Sequence, residues 1–335
     1  MTGRRRFLFT AMGGVACAGA GAFIVKGPAA QSPLREARRT SKALGSNVTI
    51  VALHEDEAAA QESIGAVFRE LDLIESVMSL YRADSQLCAL NTSGSLKSPH
   101  AYLVLVLEHA LQMARESGGA FDVTVQPLWK LFSEAKARGA LPGDAEIANA
   151  RSKVDYRKLK ISPQLISLEP GMQLTLNGIA QGFAVDRAMA VLRSFGIQHA
   201  LVDTGEFGSL GEKAAHEKWK VGVQHPRKPE SLSARVWLDG RCLSTSGDYA
   251  TPFSEDFSKN HIFDPRTGHS PSELSSVSVL AGSGMDADAL STAVFVLGAE
   301  RGLTLLRAHN ADALIIRKDG STQVTPGFQR SITPT

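Results

Sequence analysis

The sequence predicts an α+β fold in which mainly antiparallel sheets pack with helices, as a single large domain or two intimately packed lobes. Strand-like and helix-like segments occur in blocks along the chain, and hairpin-type turns join several of the strands. The 335 residues, 43% of them hydrophobic, are enough to bury a full core. Because strands and helices do not alternate strictly, the order argues against a doubly wound parallel sheet.

The chain opens with a segment typical of export signals. Arg4, Arg5 and Arg6 precede an uncharged, Gly- and Ala-rich run that reaches Val25. This segment resembles a twin-arginine signal, which carries folded proteins across a membrane, so we expect a signal over residues 1–30 and a periplasmic protein. The alternative is an uncleaved membrane anchor, for which so much glycine and alanine is poorly suited.

The first elements after this segment are a strand and two helices. Residues 44–53 are rich in Val, Ile and Thr and predict the strand. Apolar residues spaced by three and four predict a long amphipathic helix over residues 57–81. A second helix is expected over residues 102–116, since two glycines follow it directly.

The middle of the chain is predicted to be less regular. Residues 120–129 indicate a strand or an extended loop, and residues 133–162 a polar surface excursion. A hairpin is expected over 166–176, and a loop followed by a helix over 177–196. The remaining segments predict strands at 199–205, 218–224, 234–246, 274–282 and 312–318, and helices at 285–298 and 300–310.

Composition excludes some partners and metals. With 36 basic and 34 acidic residues, the chain has no charge excess that would by itself recruit nucleic acid or a membrane surface. After the signal only Cys88 and Cys242 remain; a single disulfide between them is one option, although two cysteines this far apart in sequence are more often independent. Cysteine and histidine are too scattered for a zinc site.

Three oxygen-bearing side chains interrupt the helix predicted at 285–298. Asp288, Ser291 and Thr292 stand at positions i, i+3 and i+4, which share one helix face. One interpretation is capping near the helix start. The other is a Mg²⁺ site, since carboxylate and hydroxyl oxygens suit this ion, and a single carboxylate then implies a ligand that carries phosphate.

A glycine pattern just before this helix has a competing interpretation. Gly282, Gly284 and Ala287 match a dinucleotide-binding fingerprint. That fingerprint needs a following strand that ends in an acid, whereas here the last predicted strand ends in Arg317 and Lys318. We therefore interpret the pattern as a turn.

One histidine and two glycine-bearing loops complete the candidate site. His261 precedes Asp264 and Arg266 in a tight turn, so it is either a structural hydrogen-bonding residue or a general base beside an anion. The loops at 118–127 and 176–186 contain small residues that would let a ligand approach the backbone.

Six motifs taken together resemble the ApbE family of FAD:protein FMN transferases. They are MSLYRADSQLCALN, GGAFDVTVQPLW, LNGIAQGFAVD, LSTSGDY, HIFDPRTG and DADALSTAVFVLG, in this order. The resemblance runs from Leu44 to the last strand and implies an ApbE-like domain over residues 40–330. It also implies that the protein splits FAD and places FMN on a threonine or serine of a partner protein, with release of AMP.

The resemblance assigns roles to the polar residues. It implies that Asp288 and Thr292 bind Mg²⁺, with Ser291 where many relatives have an acid and with a backbone carbonyl near Gly178. His261 would contact the substrate and accept the proton of the acceptor hydroxyl. The implied FAD contacts are Tyr81 on the flavin ring, the loop residues Ala120, Phe121 and Asp122, and Thr175 and Gln181 near the nucleotide.

Thr175 and Gln181 stand where many relatives have Asp and Lys. These departures resemble the NosX-like branch, whose exported members are linked to nitrous oxide reductase maturation. The branch implies a partner with a periplasmic FMN-acceptor domain in a membrane electron-transfer protein of the NosR-like kind. Two alternatives stay open: a Mg²⁺-dependent FAD pyrophosphatase and a non-catalytic FAD-binding protein.

Overall fold

The strands and helices are defined in a computed structural model, which describes residues 33–214 and 216–333. The strands are β1 (Arg35–Ala43), β2 (Ser46–His54), β3 (Ser95–Lys97), β4 (Lys160–Ile161), β5 (Leu165–Ser167), β6 (His199–Asp203), β7 (Phe207–Leu210), β8 (Trp219–His225), β9 (Lys228–Leu238), β10 (Cys242–Gly247), β11 (Leu274–Ala281), β12 (Asp312–Arg317) and β13 (Thr322–Val324). The helices are α1 (Glu57–Met78), α2 (Gln86–Ser93), α3 (Ala101–Glu116), α4 (Gln126–Ala137), α5 (Asp144–Arg151), α6 (Ala180–Ser194), α7 (Gly284–Leu297), α8 (Ala299–Ala308) and α9 (Pro326–Ser331).

An eight-stranded sheet organises the protein. Its order is β1-β2-β6-β7-β10-β11-β12-β13, and every neighbouring pair in it is antiparallel. Helices α1, α6 and α7 cover one face and enclose the main core, while the β8–β9 ribbon encloses a smaller apolar cluster with residues from the other face. The predicted α+β class with mainly antiparallel sheets is confirmed, and the protein is a single domain.

The regular helices follow from their sequences. Helix α1 begins at Asp56, whose carboxylate accepts hydrogen bonds from Ala58 N and Ala59 N. Its apolar positions, including Ile64, Leu71 and Ile74, are fully or almost fully buried, as their spacing predicts. Burial of such a stripe is the main stabilising contribution of an amphipathic helix.

Several regions differ from the sequence predictions. The hairpin expected over 166–176 is not formed, because β5 ends at Ser167 and pairs with β3 and β4. Strand β1 was not predicted, because a sheet-edge strand with four basic residues lacks apolar alternation; the charges also discourage further strand pairing. Residues 126–137 and 144–151 are helices and not an extended loop or irregular excursion. Pro127 in the first turn of α4 is compatible with a helix start, and the apolar Leu128 and Phe132 are buried beneath it.

The segment predicted at 234–246 is also two strands, because Asp239 and Gly240 form a turn between β9 and β10. The all-antiparallel pairing around β11 agrees with our interpretation of Gly282 and Gly284 as a turn, since the dinucleotide fingerprint belongs to a parallel βαβ unit.

The signal predicted for residues 1–30 lies outside the described residues. Within the described part of the chain, no helix combines the length and apolar character needed to cross a bilayer. Cys88 and Cys242 are free thiols in the structure, and burial raises the pKa of Cys242 above its usual value.

Helices α6 and α7 approach each other through backbone. A Cβ on Gly182 would overlap the carbonyl oxygen of Gly284 and come within 2.7 Å of Asp288 Cβ, and a Cβ on Gly284 would overlap the carbonyl oxygen of Gly182. Two glycines are therefore required at the point where the helices meet.

We expect Gly182→Ala to lower the free energy of unfolding by about 3 kcal/mol, because the new methyl group must push the two helices apart. Gly282→Ala is the matched control: no atom lies within 4 Å of its built Cβ, and its φ is not in the left-handed region. It should change stability by less than about 0.5 kcal/mol. Urea unfolding of both variants tests the contact, and equal midpoints would contradict it.

Candidate functional site

The polar face of α7 is directed at the start of α6. Helix α7 is capped by Ser283, so Asp288 lies beyond the first turn and does not cap its own helix. Its carboxylate Oδ2 instead accepts a hydrogen bond of 2.9 Å from Gly182 N, and the side chain is almost fully buried. The capping interpretation is wrong for Asp288. Ser291 lies inside the helix, where its hydroxyl bonds back to the carbonyl oxygen of Asp288 at 2.8 Å.

Ser246, at the end of β10, adds a hydroxyl to this face. Its Oγ lies 2.8 Å from Ser291 Oγ and 3.1 Å from Thr292 Oγ1. Ser291 is fully buried, whereas Thr292 is half-buried. The motif that contains Ser246 was recognised in the sequence, but this residue was not singled out, because nothing in its spacing relates it to a helix 45 positions later.

The two glycine-bearing loops come together beside this hydroxyl cluster. A Cβ built on Gly178 would lie 3.0 Å from Thr292 Oγ1 and 3.4 Å from Phe121 Cε2. Thr175 N donates to the carbonyl oxygen of Val123 at 2.8 Å and so joins the loops directly. The structure thus assembles Gly178, Thr292 and Phe121, which the sequence resemblance assigned to one site.

Asp122 organises the first of these loops. One carboxylate oxygen accepts hydrogen bonds from Thr124 N at 2.8 Å and Thr124 Oγ1 at 2.7 Å, and the other accepts one from Tyr156 N at 3.1 Å. Burial raises the pKa of this carboxyl, although the hydrogen bonds oppose the shift. Its neighbours Ala120 and Phe121 are buried within the same turn.

Gln181 ties the start of α6 to the β6–β7 turn. Its Nε2 donates to the carbonyl oxygen of Thr204 at 3.4 Å, and Thr204 Oγ1 donates back to the carbonyl oxygen of Gln181 at 3.3 Å. Ser46 Oγ, from the β1–β2 turn, also donates to Thr204 O. The Gln181 side chain therefore contributes one hydrogen bond to the local structure, and its backbone carbonyl accepts the other.

Tyr81 is the most exposed of the predicted site residues, with 74% of its surface accessible. It follows α1, where Ser79 Oγ accepts a hydrogen bond from Tyr81 N. The segment that follows it is tied to the second glycine loop, because the Asn91 amide exchanges two hydrogen bonds with the backbone of Leu174, next to Thr175.

His261 lies on a long loop that leaves β10 just after Ser246. Its backbone N–H donates to the carbonyl oxygen of Thr251 at 3.1 Å, and the side chain is half-buried. The adjacent Asn260 is fully buried, and its amide spans the loop from Phe257 O to Ile262 N. The backbone around His261 is thereby fixed.

A buried carboxylate anchors the same loop. Asp248 is fully buried and forms a bidentate ion pair with Arg227, at 2.7 and 2.8 Å, while Lys318 Nζ lies 3.8 Å away. Arg227 also stacks 4.4 Å from the ring of Phe257, and Lys318 donates to Phe257 O. Asp264 and Arg266, which the sequence placed near His261, form their own bidentate pair within the following turn.

Comparison with known proteins identifies the family and the fold. The family model described as the ApbE family matches residues 44–315. The chain belongs to the ApbE family. A FAD:protein FMN transferase from Treponema pallidum is 34% identical over 295 residues, which cover 81% of each chain, and one from Salmonella typhimurium is 29% identical over 84% of this chain and 85% of its own.

Solved structures of ApbE proteins superpose on nearly the whole chain. The apo form of the flavinyl transferase ApbE from Pseudomonas stutzeri has a TM-score of 0.80 at 29% identity, covering 91% of this chain and 99% of its own. The apbe protein of Thermotoga maritima has a TM-score of 0.81 at 25% identity, covering 90% and 100%. The expected family and fold are both confirmed.

The oxygen groups assembled in this ApbE-family chain fit a hard cation. The carboxylate of Asp288, three hydroxyls and the backbone at Gly178 lie near the α6–α7 junction; the hydroxyls are those of Ser246, Ser291 and Thr292. Among residues 33–214 and 216–333 there is no group of three or more His, Cys, Asp and Glu side chains that could hold a metal. A donor set with a single carboxylate matches Mg²⁺, which leaves part of its octahedron to phosphate and water.

Proposed function

We propose that the protein is a Mg²⁺-dependent FAD:protein FMN transferase. The observation that carries the proposal is the junction of α6 and α7, where Asp288 and Thr292 meet Gly182 and Gly178 within a chain of the ApbE family. The relatives that match over about four fifths of the chain bear the name FAD:protein FMN transferase. Asp288, Thr292, Ser291 and the Gly178 backbone would hold the ion.

The bound ion would supply charge neutralisation at the pyrophosphate of FAD. The half-buried His261 would accept the proton of the acceptor hydroxyl as its oxygen forms a bond to the FMN phosphorus. The bond between that phosphorus and the bridging oxygen breaks, and AMP leaves with the oxygen. Such a displacement depends on positioning and electrostatics, which the fixed loop around His261 provides.

We also propose where the reaction takes place and on what partner. The Arg-rich start of the sequence supports twin-arginine export to the periplasm. Thr175 and Gln181, which differ from the residues in many relatives, support placement in the NosX-like branch. The acceptor would then be the periplasmic FMN-binding domain of a NosR-like membrane electron-transfer protein, modified on a threonine or serine.

The decisive experiment mixes the chain with FAD, Mg²⁺ and such an acceptor domain, then measures flavin fluorescence on the denatured acceptor. A fluorescent band that disappears with a chelator, or with the acceptor threonine replaced by alanine, supports the transferase. Free FMN and AMP without a band favour the pyrophosphatase. If FAD stays intact under all conditions, the result favours a non-catalytic FAD-binding protein.

Tyr81 offers a test of the flavin-ring contact. We expect Tyr81→Ala to raise the KM for FAD up to about tenfold, because stacking on an aromatic ring contributes about 0.5–1.5 kcal/mol. The thermal midpoint should not change, since 74% of the Tyr81 surface is exposed. Tyr81→Phe keeps the ring and should retain the wild-type KM. An unchanged KM for FAD in the Tyr81→Ala enzyme would show that Tyr81 does not contact the flavin ring.

A further inference from the structure

Asp186 lies on α6 one helical turn beyond Gly182. Its two carboxylate oxygens accept hydrogen bonds from Gly284 N at 2.7 Å and Met285 N at 2.9 Å. These N–H groups belong to the first turn of α7 and have no partner within their own helix. A side chain of one helix thus caps the other, in addition to the local cap in which Asp286 N donates to Ser283 Oγ.

The junction is held by two carboxylates that point in opposite directions. Asp186 reaches from α6 to the backbone of α7, and Asp288 reaches from α7 to Gly182 N on α6. The contact between Gly182 and Gly284 lies between these two anchors. With both anchors made, α7 can neither slide along α6 nor rotate about its own axis without breaking charge-assisted hydrogen bonds.

This restraint determines how the proposed metal ligands face each other. Thr292 lies one turn beyond Asp288 on α7, and Gly178 lies in the turn that leads directly into α6 at Ala180. A shift of α7 against α6 would therefore change the distance between Thr292 and the Gly178 backbone. Mg²⁺ requires nearly ideal octahedral geometry, which makes its binding sensitive to small shifts of a ligand. Without Asp186, the carboxylate of Asp288 would have to hold α7 against α6 and bind the metal ion at the same time.

We propose that Asp186 is a positioning residue for the metal site: it sets the register of α7 against α6 so that Asp288 and Thr292 face the Gly178 backbone. This inference rests on the proposed Mg²⁺-dependent function. Asp186 does not itself contact the ion or FAD. Outer partners that orient metal ligands typically change metal affinity by about 10–100-fold when removed.

The test measures metal binding apart from turnover. Mn²⁺ replaces Mg²⁺ as a paramagnetic probe that accepts the same oxygen ligands, and the free ion is followed by electron paramagnetic resonance as it is titrated into the full chain. We expect Asp186→Ala to weaken Mn²⁺ binding at least tenfold. The Mg²⁺ concentration for half-maximal FMN transfer should rise by a similar factor, while the rate at saturating Mg²⁺ stays within about threefold of wild type.

Two further variants separate positioning from folding. Asp56→Ala also removes a carboxylate that accepts hydrogen bonds from two first-turn N–H groups, but at the remote start of α1. It should lower stability and leave Mn²⁺ binding unchanged. Asp186→Asn keeps an oxygen for one N–H group and is expected to fold when Asp186→Ala does not, with an intermediate loss of metal affinity.

Each outcome bears on the inference. Mn²⁺ binding to Asp186→Ala or Asp186→Asn that equals wild type, together with a lower thermal midpoint, would reduce Asp186 to a structural cap and overturn the proposal. Wild-type transfer that persists in excess chelator would refute the Mg²⁺ dependence itself, and the positioning role with it. Weaker Mn²⁺ binding with normal FAD binding supports the proposal.

Discussion

Replacing Asp288 by asparagine is expected to reduce FMN transfer about a thousandfold, which corresponds to roughly 4 kcal/mol of transition-state stabilisation. Asparagine has nearly the same shape, and its oxygen can still accept the hydrogen bond from Gly182 N. The helix junction should therefore survive. What is lost is the single negative charge among the proposed ligands, and with it the attraction for Mg²⁺. Initial rates of acceptor labelling over a range of Mg²⁺ concentrations measure the effect.

Asp286→Asn is the control for this substitution. Asp286 lies on the same helix, but its carboxylate pairs with His109 at 2.9 Å and accepts from Ser283 Oγ. The hydrogen bond from His109 lowers the pKa of this carboxyl, so Asp286→Asn also removes a negative charge from α7. Its transfer rate should stay within about threefold of wild type. If the Asp288→Asn enzyme transfers FMN at the full rate, the carboxylate of Asp288 is not a metal ligand.

Replacing His261 by alanine is expected to lower the rate of FMN transfer about 10²- to 10⁴-fold, the usual contribution of a general base. FAD affinity, measured by quenching of flavin fluorescence under conditions without acceptor, should change much less. The loop itself is held by Asn260 and by the Arg227 and Lys318 contacts to Phe257, so the backbone should persist without the imidazole.

The pH profile tests the same role in a different way. An imidazolium cannot accept a proton, so the wild-type rate should fall at acidic pH and the His261→Ala rate should lack this fall. His309→Ala provides a matched control, since His309 is a partly buried histidine that pairs with Glu116 at 3.0 Å on α3. It should keep both the rate and the pH profile. If the rate of the His261→Ala enzyme still falls at acidic pH, the general base is another group.

Local sequence patterns were sufficient to predict the helices and strands that bury one face through regularly spaced apolar residues. Helix α1 and helix α7 follow from apolar spacing and from their ends at Asp56 and Gly298. Strand β1 did not show such a pattern, because its stability comes from pairing with β2 along nine residues and not from an apolar face. Helix α4 was missed although Leu128, Leu131 and Phe132 have helical spacing, because the predicted extended segment ended at Trp129 and divided this pattern. Helix α5 was missed because its eight mainly polar residues depend on the tertiary contacts of a few buried side chains such as Ile147.

The site was predictable only in part for a related reason. The i, i+3, i+4 spacing placed Asp288, Ser291 and Thr292 on one face, and the structure places them so. The partner of that face could not be read from spacing, since Gly182 lies 106 positions earlier. The role of Asp186 could not be predicted from the sequence either. Nothing in the sequence of α6 shows that this carboxylate accepts a hydrogen bond from the backbone of α7.

The contact between Gly182 and Gly284 limits how this sequence can diverge. A pair of packed side chains can exchange volume over time, because a smaller residue on one side makes room for a larger one on the other. Neither glycine has a side chain that could become smaller. If one glycine is replaced by a larger residue, no substitution of the other glycine can make room for it. We expect descendants of this sequence to inherit both glycines together.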